Sequence, residues 1–446
     1  MKRCGFHNEK KMKKEKMKRL FFLILLIAAA VSVFAQQLTL EACRQMARNL
    51  YPVSKQYGLI DQSEQYSFSN AARGWLPRLK FSAQASWQTD AARFPDALSA
   101  LLAEMGTEMQ GMRQDQYKVA IDLSQNIYDG GRSAAEKEAA RAQARTERLT
   151  ADVELYALES RIDNLYFGIL LLEAQQAQMQ KQIEILNENK RRCKVLIDNE
   201  MALESDADAV EVEMVKANQA INQLRYSADA YREMLSLLIG QRVEEGGLAM
   251  PSDIVDMPST YRCNRPELQL LDAQISYLDA QKRLLKTASK PHFSLFAQGW
   301  YGYPGLNMFD NMQSARWSLN AVAGVRALWD VSALFANRDI DKQLLNKQQQ
   351  IELQREVFDF NNALQVKQED SEIARLKQTL KDDERIVALR QSLRAAAESK
   401  YENGVVSITD VVNAVTDESL AQAALALHKI ELLKKKYELI HITYAN

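Results

Sequence analysis

The side chains able to do covalent or metal chemistry are few, and their spacing does not suit it. Four histidines (His7, His292, His428, His441) and four cysteines (Cys4, Cys43, Cys193, Cys263) are scattered along 446 residues. None falls at the short spacings that bring ligands onto one metal ion. Gly130-Gly131 has no following Lys-Ser/Thr, so it is not a phosphate-cradling loop, and a strand-to-helix turn accounts for it. No cofactor and no metal are expected, and the chain does not read as an enzyme. What remains is a set of carboxylates beside two asparagines: Asp206 and Asp208 follow Asn199, and Asp410 follows Asn403. Asp206 and Thr409-Asp410 suit the first turn of a helix, where orphan amides attract anionic side chains and capping oxygens.

The N-terminus sets the compartment. Residues 1–19 are strongly basic, residues 20–33 are apolar, and Val33-Phe34-Ala35 precedes Gln36. This is the layout of a secretory signal, 1–35, with Met1 and Met17 both candidate starts. No cysteine stands where a lipid anchor needs one. Removing residues 1–35 takes nine Lys/Arg and two Asp/Glu from 57 and 58, leaving 48 basic against 56 acidic residues, a net charge of −8. An acidic exported chain has no counterion-release drive toward phosphates, so no nucleic-acid partner is expected. Three mature cysteines are an odd set with no close pairing motif, which argues against a disulfide framework or a zinc site. Beyond residue 35 no apolar run approaches a spanning helix, so a membrane crossing would have to be a closed β-barrel.

The elements that place the carboxylates come in duplicate. Leu76-Pro77-Arg78-Leu79-Lys80-Phe81-Ser82-Ala83-Gln84 is echoed by Lys290-Pro291-His292-Phe293-Ser294-Leu295-Phe296-Ala297-Gln298. Tyr128-Asp129 is echoed by Trp329-Asp330, and Asn199 with Ser205-Asp206 by Asn403 with Thr409-Asp410. Two repeats follow, 36–258 and 259–446. Period-two alternation marks strands at about 79–88, 116–127, 292–302 and 316–328, a length that suits a membrane barrel. All five tryptophans (Trp75, Trp87, Trp300, Trp317, Trp329) lie in or beside these strands, as in an interfacial girdle. Four strands cannot close a barrel, so the chain must oligomerise, and strand arithmetic leaves eight or twelve strands open.

Proline-free stretches predict long helices at about 133–199 and 332–403, each roughly 100 Å. Shorter ones are expected at 39–74, 205–240, 264–289 and 407–441. Paired end to end, the shorter helices roughly match the long ones, as in a cylinder of continuous and spliced staves with an irregular connector at 241–263. Helices of this length need coiled-coil neighbours.

These features together are similar to the TolC family of outer membrane efflux proteins, the outer membrane factors. The resemblance covers essentially the whole mature chain. It rests on Gln125-Asn126-Ile127-Tyr128-Asp129-Gly130-Gly131-Arg132, on the Leu76-Pro77 and Lys290-Pro291 junctions, and on Tyr401-Glu402-Asn403-Gly404-Val405-Val406-Ser407-Ile408-Thr409-Asp410-Val411-Val412-Asn413-Ala414. It implies a mainly α fold with a membrane β-barrel contribution: a homotrimeric α-helical barrel of long coiled-coil hairpins capped by a twelve-stranded β-barrel, four strands per chain. It implies a passive duct in the bacterial outer membrane with a long periplasmic portion. Such a duct serves tripartite efflux or type I secretion, taking small toxic compounds or exported protein from a periplasmic adaptor and an inner-membrane transporter. The adaptor would dock at two tips, Asn199-Glu200-Met201 and Asn403-Gly404-Val405.

A periplasmic gate is implied as well. Asp410 matches a constriction aspartate, while Asn413 replaces the second one. Tyr401 matches a linking tyrosine, Val406 stands where a linking arginine would, Asp206 matches a link acceptor, and Asp208 lies beside it. A ring of such carboxylates would favour cations. Glu200 replaces the usual tip glycine, so the first tip must turn differently or carry strain. The alternative reading is a trimeric coiled-coil surface or structural protein, which would not require duplicated strand pairs. An autonomous porin would require far more strand.

Overall fold

The computed structural model describes residues 37–107, 111–253 and 263–443; the expected signal, 1–35, and the middle of the connector at 241–263 lie outside them. In chain order the elements are α1 (Leu40–Leu50), a short 3₁₀ turn (Pro52–Lys55), α2 (Gln56–Arg73), β1 (Arg78–Trp87), α3 (Asp96–Glu104) and β2 (Asp115–Tyr128). The longest helix of the first half, α4 (Arg132–Asp198), follows, then α5 (Glu204–Ile239). The second half runs α6 (Pro266–Thr287), β3 (His292–Tyr303), α7 (Met308–Gln313), β4 (Ser318–Leu328), α8 (Ala333–Glu402) and α9 (Ile408–Thr443). The two long helices hold 67 and 70 residues and the helices after them 36 each.

Two details depart from the sequence expectation. The helix expected over 39–74 is broken: Tyr51 is extended (ψ 131°) ahead of Pro52. The proline ring excludes the residue before it from the helical region and supplies no amide to continue the ladder. Short helices α3 and α7 also occupy the two inter-strand loops.

The described residues form two compact units, and each takes segments from both halves of the sequence. One unit comprises Lys55–Val153 and Pro266–Phe358. Its centre is a four-stranded antiparallel sheet in the order β1-β2-β3-β4, so β1 and β4 each present an edge that no strand among the described residues pairs. Each strand-to-helix junction uses the same device. Asp129 accepts hydrogen bonds from the Gly131 and Ser133 amides (2.9 and 2.8 Å) and from the Ser133 hydroxyl (2.5 Å). Asp330 accepts from the Ser332 amide and hydroxyl (3.0 and 2.5 Å). In both places an aspartate satisfies amides that the first helical turn leaves open.

The other unit holds the chain up to Ser54, Glu154–Arg265 and the chain from Asp359 on. Its core gathers Leu40, Cys43 and Ala47 of α1, and Ile162, Tyr166, Phe167 and Ile169 of α4, all essentially inaccessible to solvent. The Arg44 guanidinium makes a bidentate pair with Asp163 (2.8 and 2.6 Å). Gly168 leaves α4 intact: a Cβ there would stand 2.6 Å from the Tyr231 ring of α5, so the glycine admits a close helix contact.

Candidate functional site

Two places could serve a function: the sheet and the helix tips. Register decides what the sheet presents. Leu79 pairs with Leu123, Phe81 with Ile121 and Ala83 with Val119. Ile121 pairs with Gly299 and Leu123 with Ala297, and Leu295 pairs with Val325 and Tyr301 with Leu319. Directly opposed residues share a face, so every one of these lies on the same side. That side is exposed: Leu79 is 73% accessible, Phe81 70% and Leu319 82%. The opposite side carries Arg78, Lys80, Ser82, Gln84, Lys118, Asp122, Ser294, Gln298, Asn320 and Arg326, brought together by the same pairing.

Aromatic rings border the apolar side. At one rim Trp317 lies 5.9 Å from Tyr117 and 5.4 Å from Tyr301, centroid to centroid. Near the other, Tyr128 and Phe293 are 6.1 Å apart, and the Trp329 indole donates to the Ser289 carbonyl at 3.0 Å. Ten paired steps separate Tyr303, opposite Tyr117, from Phe293, opposite Tyr128, roughly 34 Å along the strand, or about 24 Å at a 45° tilt.

The tips are built alike. In the first, the Glu200 amide donates to Ile197 O (2.9 Å) and the Met201 amide to Leu196 O (2.8 Å). In the second, the Gly404 amide donates to Tyr401 O (2.9 Å) and the Val405 amide to Lys400 O (2.9 Å). Asn199 and Asn403 each bond back to the carbonyl four residues earlier, at 2.6 and 2.7 Å. Both are Schellman motifs, which need a left-handed residue just past the helix. Gly404 has φ +70°, and Glu200 itself adopts φ +58°. The first tip therefore makes the same turn as the second and places a Cβ in the left-handed region, the strained alternative of the two the sequence left open.

The helices after the tips begin differently. Asp410 accepts from the Ser407 amide and hydroxyl (2.9 and 2.7 Å), and the Asp410 amide donates back to the Ser407 hydroxyl (3.3 Å). That reciprocal pair is a capping box, and the Ser407 hydrogen bonds hold the Asp410 carboxyl below its ordinary pKa. Asp206 accepts from the Leu203 amide at 3.0 Å, but a leucine there offers no side-chain acceptor in return.

Beneath the tips, Leu186, Cys193, Ala207, Val210, Ile408, Val411, Val412 and Val415 form one core that joins α4, α5 and α9, with Tyr401 of α8 packed against it. Burial and the neighbouring Cys193 thiol push the Tyr401 phenol up to about 12. Asp206 acts electrostatically on both groups, so the fold brings Tyr401, Cys193 and Asp206 together. Burial also raises the Cys193 thiol, which stays protonated and unreactive. Asp208, Asp410 and Asn413 are exposed on their helices, and Met201, Leu203 and Val405 are exposed apolar residues at the tips. The Arg394 guanidinium hydrogen-bonds to the buried Glu418 carboxylate, and Arg390 pairs with Asp417 at 2.6 Å. Sequence reading missed these α8–α9 links, because charges on long helices resemble any solvated face.

Among the described residues no cluster of His, Cys, Asp or Glu could hold a metal ion, and no helix is long and apolar enough to cross a membrane. No family model matches the chain, and no curated protein matches it in sequence. Solved structures do match in fold. The outer membrane protein VceC of Vibrio cholerae aligns over 91% of this chain and 95% of its own, with 14% identity and a TM-score of 0.62. The CmeC outer membrane channel of Campylobacter jejuni aligns over 91% and 85%, with 12% identity and a TM-score of 0.64. The Neisseria gonorrhoeae MtrE outer membrane channel, solved in an open state, aligns over 91% and 88%, with 13% identity and a TM-score of 0.61. The chain therefore has the fold of these channel proteins, long helices joined to a four-stranded antiparallel sheet.

Proposed function

We propose that three copies of this chain form a passive exit duct of the bacterial outer membrane, serving efflux or secretion and carrying out no catalysis. The observation that carries the reading is the sheet. It exposes a continuous apolar face between aromatic rows, which at the tilt of a membrane-barrel strand stand about 24 Å apart, close to the ~25 Å band of membrane barrels. It also has two edges, β1 and β4, that no strand among the described residues pairs. In hydrocarbon an open edge leaves several kcal/mol of unsatisfied backbone per group, so the edges must be closed by other copies. Twelve strands from three chains close it, as the resemblance implies.

The helices support the same reading. Ile386, Leu389 and Leu393 of α8 are exposed at 3, 4 spacing, the pattern of a coiled-coil seam left uncovered among the described residues. Residues 1–35 serve as the export signal. The tips 199–201 and 403–405 receive a periplasmic adaptor that hands over cargo from an inner-membrane transporter. Asp410, Asn413, Tyr401, Asp206 and Asp208 line or brace the entrance. The lipid-facing partner is the outer membrane itself.

The test is detergent-extracted full-length protein, measured by native mass spectrometry and by conductance in planar bilayers. Trimers that conduct are expected. Monomers that leave bilayers silent would overturn the proposal. Cysteines placed at Met201 and Val405 should cross-link to an adaptor in cells, and failure at both tips would remove the docking assignment alone.

A further inference from the structure

We propose that the polar face of the sheet is an anion-accepting wall, suited to organic anions that carry an aromatic ring. This rests on the reading of the sheet as part of a closed barrel, with its polar face toward the lumen. The strands contain four cations, Arg78, Lys80, Lys118 and Arg326, and the pairing places all four on that face. They contain two carboxylates. Asp115 lies on the other face, paired with Arg113 at 2.7 Å. Asp122 shares the cation face, where it accepts from the Gln298 amide and, at 3.5 Å, from the Ser82 hydroxyl. The Lys118 ammonium donates to the neutral Gln298 Oε1 at 2.9 Å, so this bond leaves its charge uncompensated. Four cations against one carboxylate leave three net positive charges per chain on this face, although the chain without residues 1–35 has a net charge of −8.

Two of the four cations are mounted on rings. The Lys118 ammonium sits 4.6 Å from the Trp300 ring centroid, and the Arg326 guanidinium 4.9 Å from that of Phe296. Phe296 pairs across the strands with Gly324, where a Cβ would come within 3.0 Å of the ring, so the glycine lets the ring lie over the backbone. A water-facing wall normally carries small polar residues. This one holds flat rings, each beside a fixed cation. An arenesulfonate or aryl carboxylate matches both parts: its anionic group meets the ammonium or guanidinium, and its ring meets the half-buried Phe296, while the buried Trp300 seats Lys118. Walls of one charge in a narrow passage raise the local counterion concentration by about tenfold or more.

The test uses the full-length channel in planar bilayers, with naphthalenetrisulfonate added from the side of the inter-strand loops. Voltage-dependent block of the wild-type channel is expected. It should weaken on the order of tenfold in a Lys80→Gln, Lys118→Gln, Arg326→Gln triple variant, with the reversal potential in a KCl gradient moving toward cation selectivity. Lys118→Arg should keep the block, and Phe296→Leu should weaken it without moving the reversal potential. Lys80 makes none of the network contacts described above, so Lys80→Gln alone reports on charge if the triple variant does not fold. Block of the neutralised channel equal to that of the wild type would overturn the inference and leave the duct standing. A wild-type chain without conductance would overturn both.

Discussion

Replacing Glu200 with glycine should stabilise the first tip, a gain that can be worked out from its geometry. Glu200 stands at φ +58°, where a Cβ crowds the backbone by roughly 1–2 kcal/mol. Glycine removes that penalty but widens the unfolded ensemble, which gives back about 0.4–1 kcal/mol. The net gain is about 0.5–1 kcal/mol, a factor of roughly two to five in a local opening equilibrium. The reporter is the Met201 amide, bonded to Leu196 O at 2.8 Å. Its hydrogen exchange, measured on the full-length protein, should slow by that factor in Glu200→Gly. The second tip supplies the reciprocal experiment. Nothing lies within 4 Å of a Cβ built on Gly404, so Gly404→Glu introduces conformational strain without a clash. The Val405 amide, bonded to Lys400 O at 2.9 Å, should then exchange faster by a similar factor. Unchanged or faster exchange at Met201 in Glu200→Gly, with Val405 responding as expected, would refute the assignment of strain to Glu200.

Three further outcomes are expected. His441 stacks on Tyr156 at 3.9 Å, and burial with the nearby Arg44 and Arg265 charges lowers its pKa to about 4. The unfolded chain binds this proton more readily, so stability should fall as pH drops from about 6.5 toward 4, by on the order of 3 kcal/mol; denaturant midpoints across that window should flatten in His441→Gln. Asp410→Ala should reduce cation selectivity in bilayers if three such carboxylates meet at the entrance, whereas a lower melting point with unchanged selectivity would leave it only its capping contact with Ser407. An epitope inserted at Glu104, exposed in α3 of the longer inter-strand loop (88–114 against 304–317), should be reachable by antibody on intact cells, and accessibility only after outer-membrane rupture would reverse the orientation.

The split between what was legible in the chain and what was not follows the range of the forces involved. Strands were legible because the alternation of Leu79, Phe81 and Ala83 with Lys80, Ser82 and Gln84 is a local contrast that only an extended backbone sorts onto two faces. Helix ends were legible at Asn403-Gly404 and in the first-turn place of Asp410, where the hydrogen bonds span three to five residues; that Ser407 and not Thr409 shares its cap is shown only by the structure. The break at Pro52 is local too, since a proline bars the residue before it from the helical region, but the helical pattern on both sides masks it. Glu200 was narrowed only to two outcomes, because the turn is dictated by the packing of α4 against α5 beneath the exposed tip and not by glutamate's own preference. Tyr401 showed no sign of its partner: Cys193 lies on another helix, and only the assembled tip buries both. The cation face belongs wholly to tertiary structure. Lys118 and Gln298 are 180 positions apart, and their contact exists because β2 pairs with β3 in one register. A slip of one residue would carry Lys118 and Asp122 onto the apolar side, so the cost of burying those charges in an apolar medium selects the pairing that the strands alone do not specify.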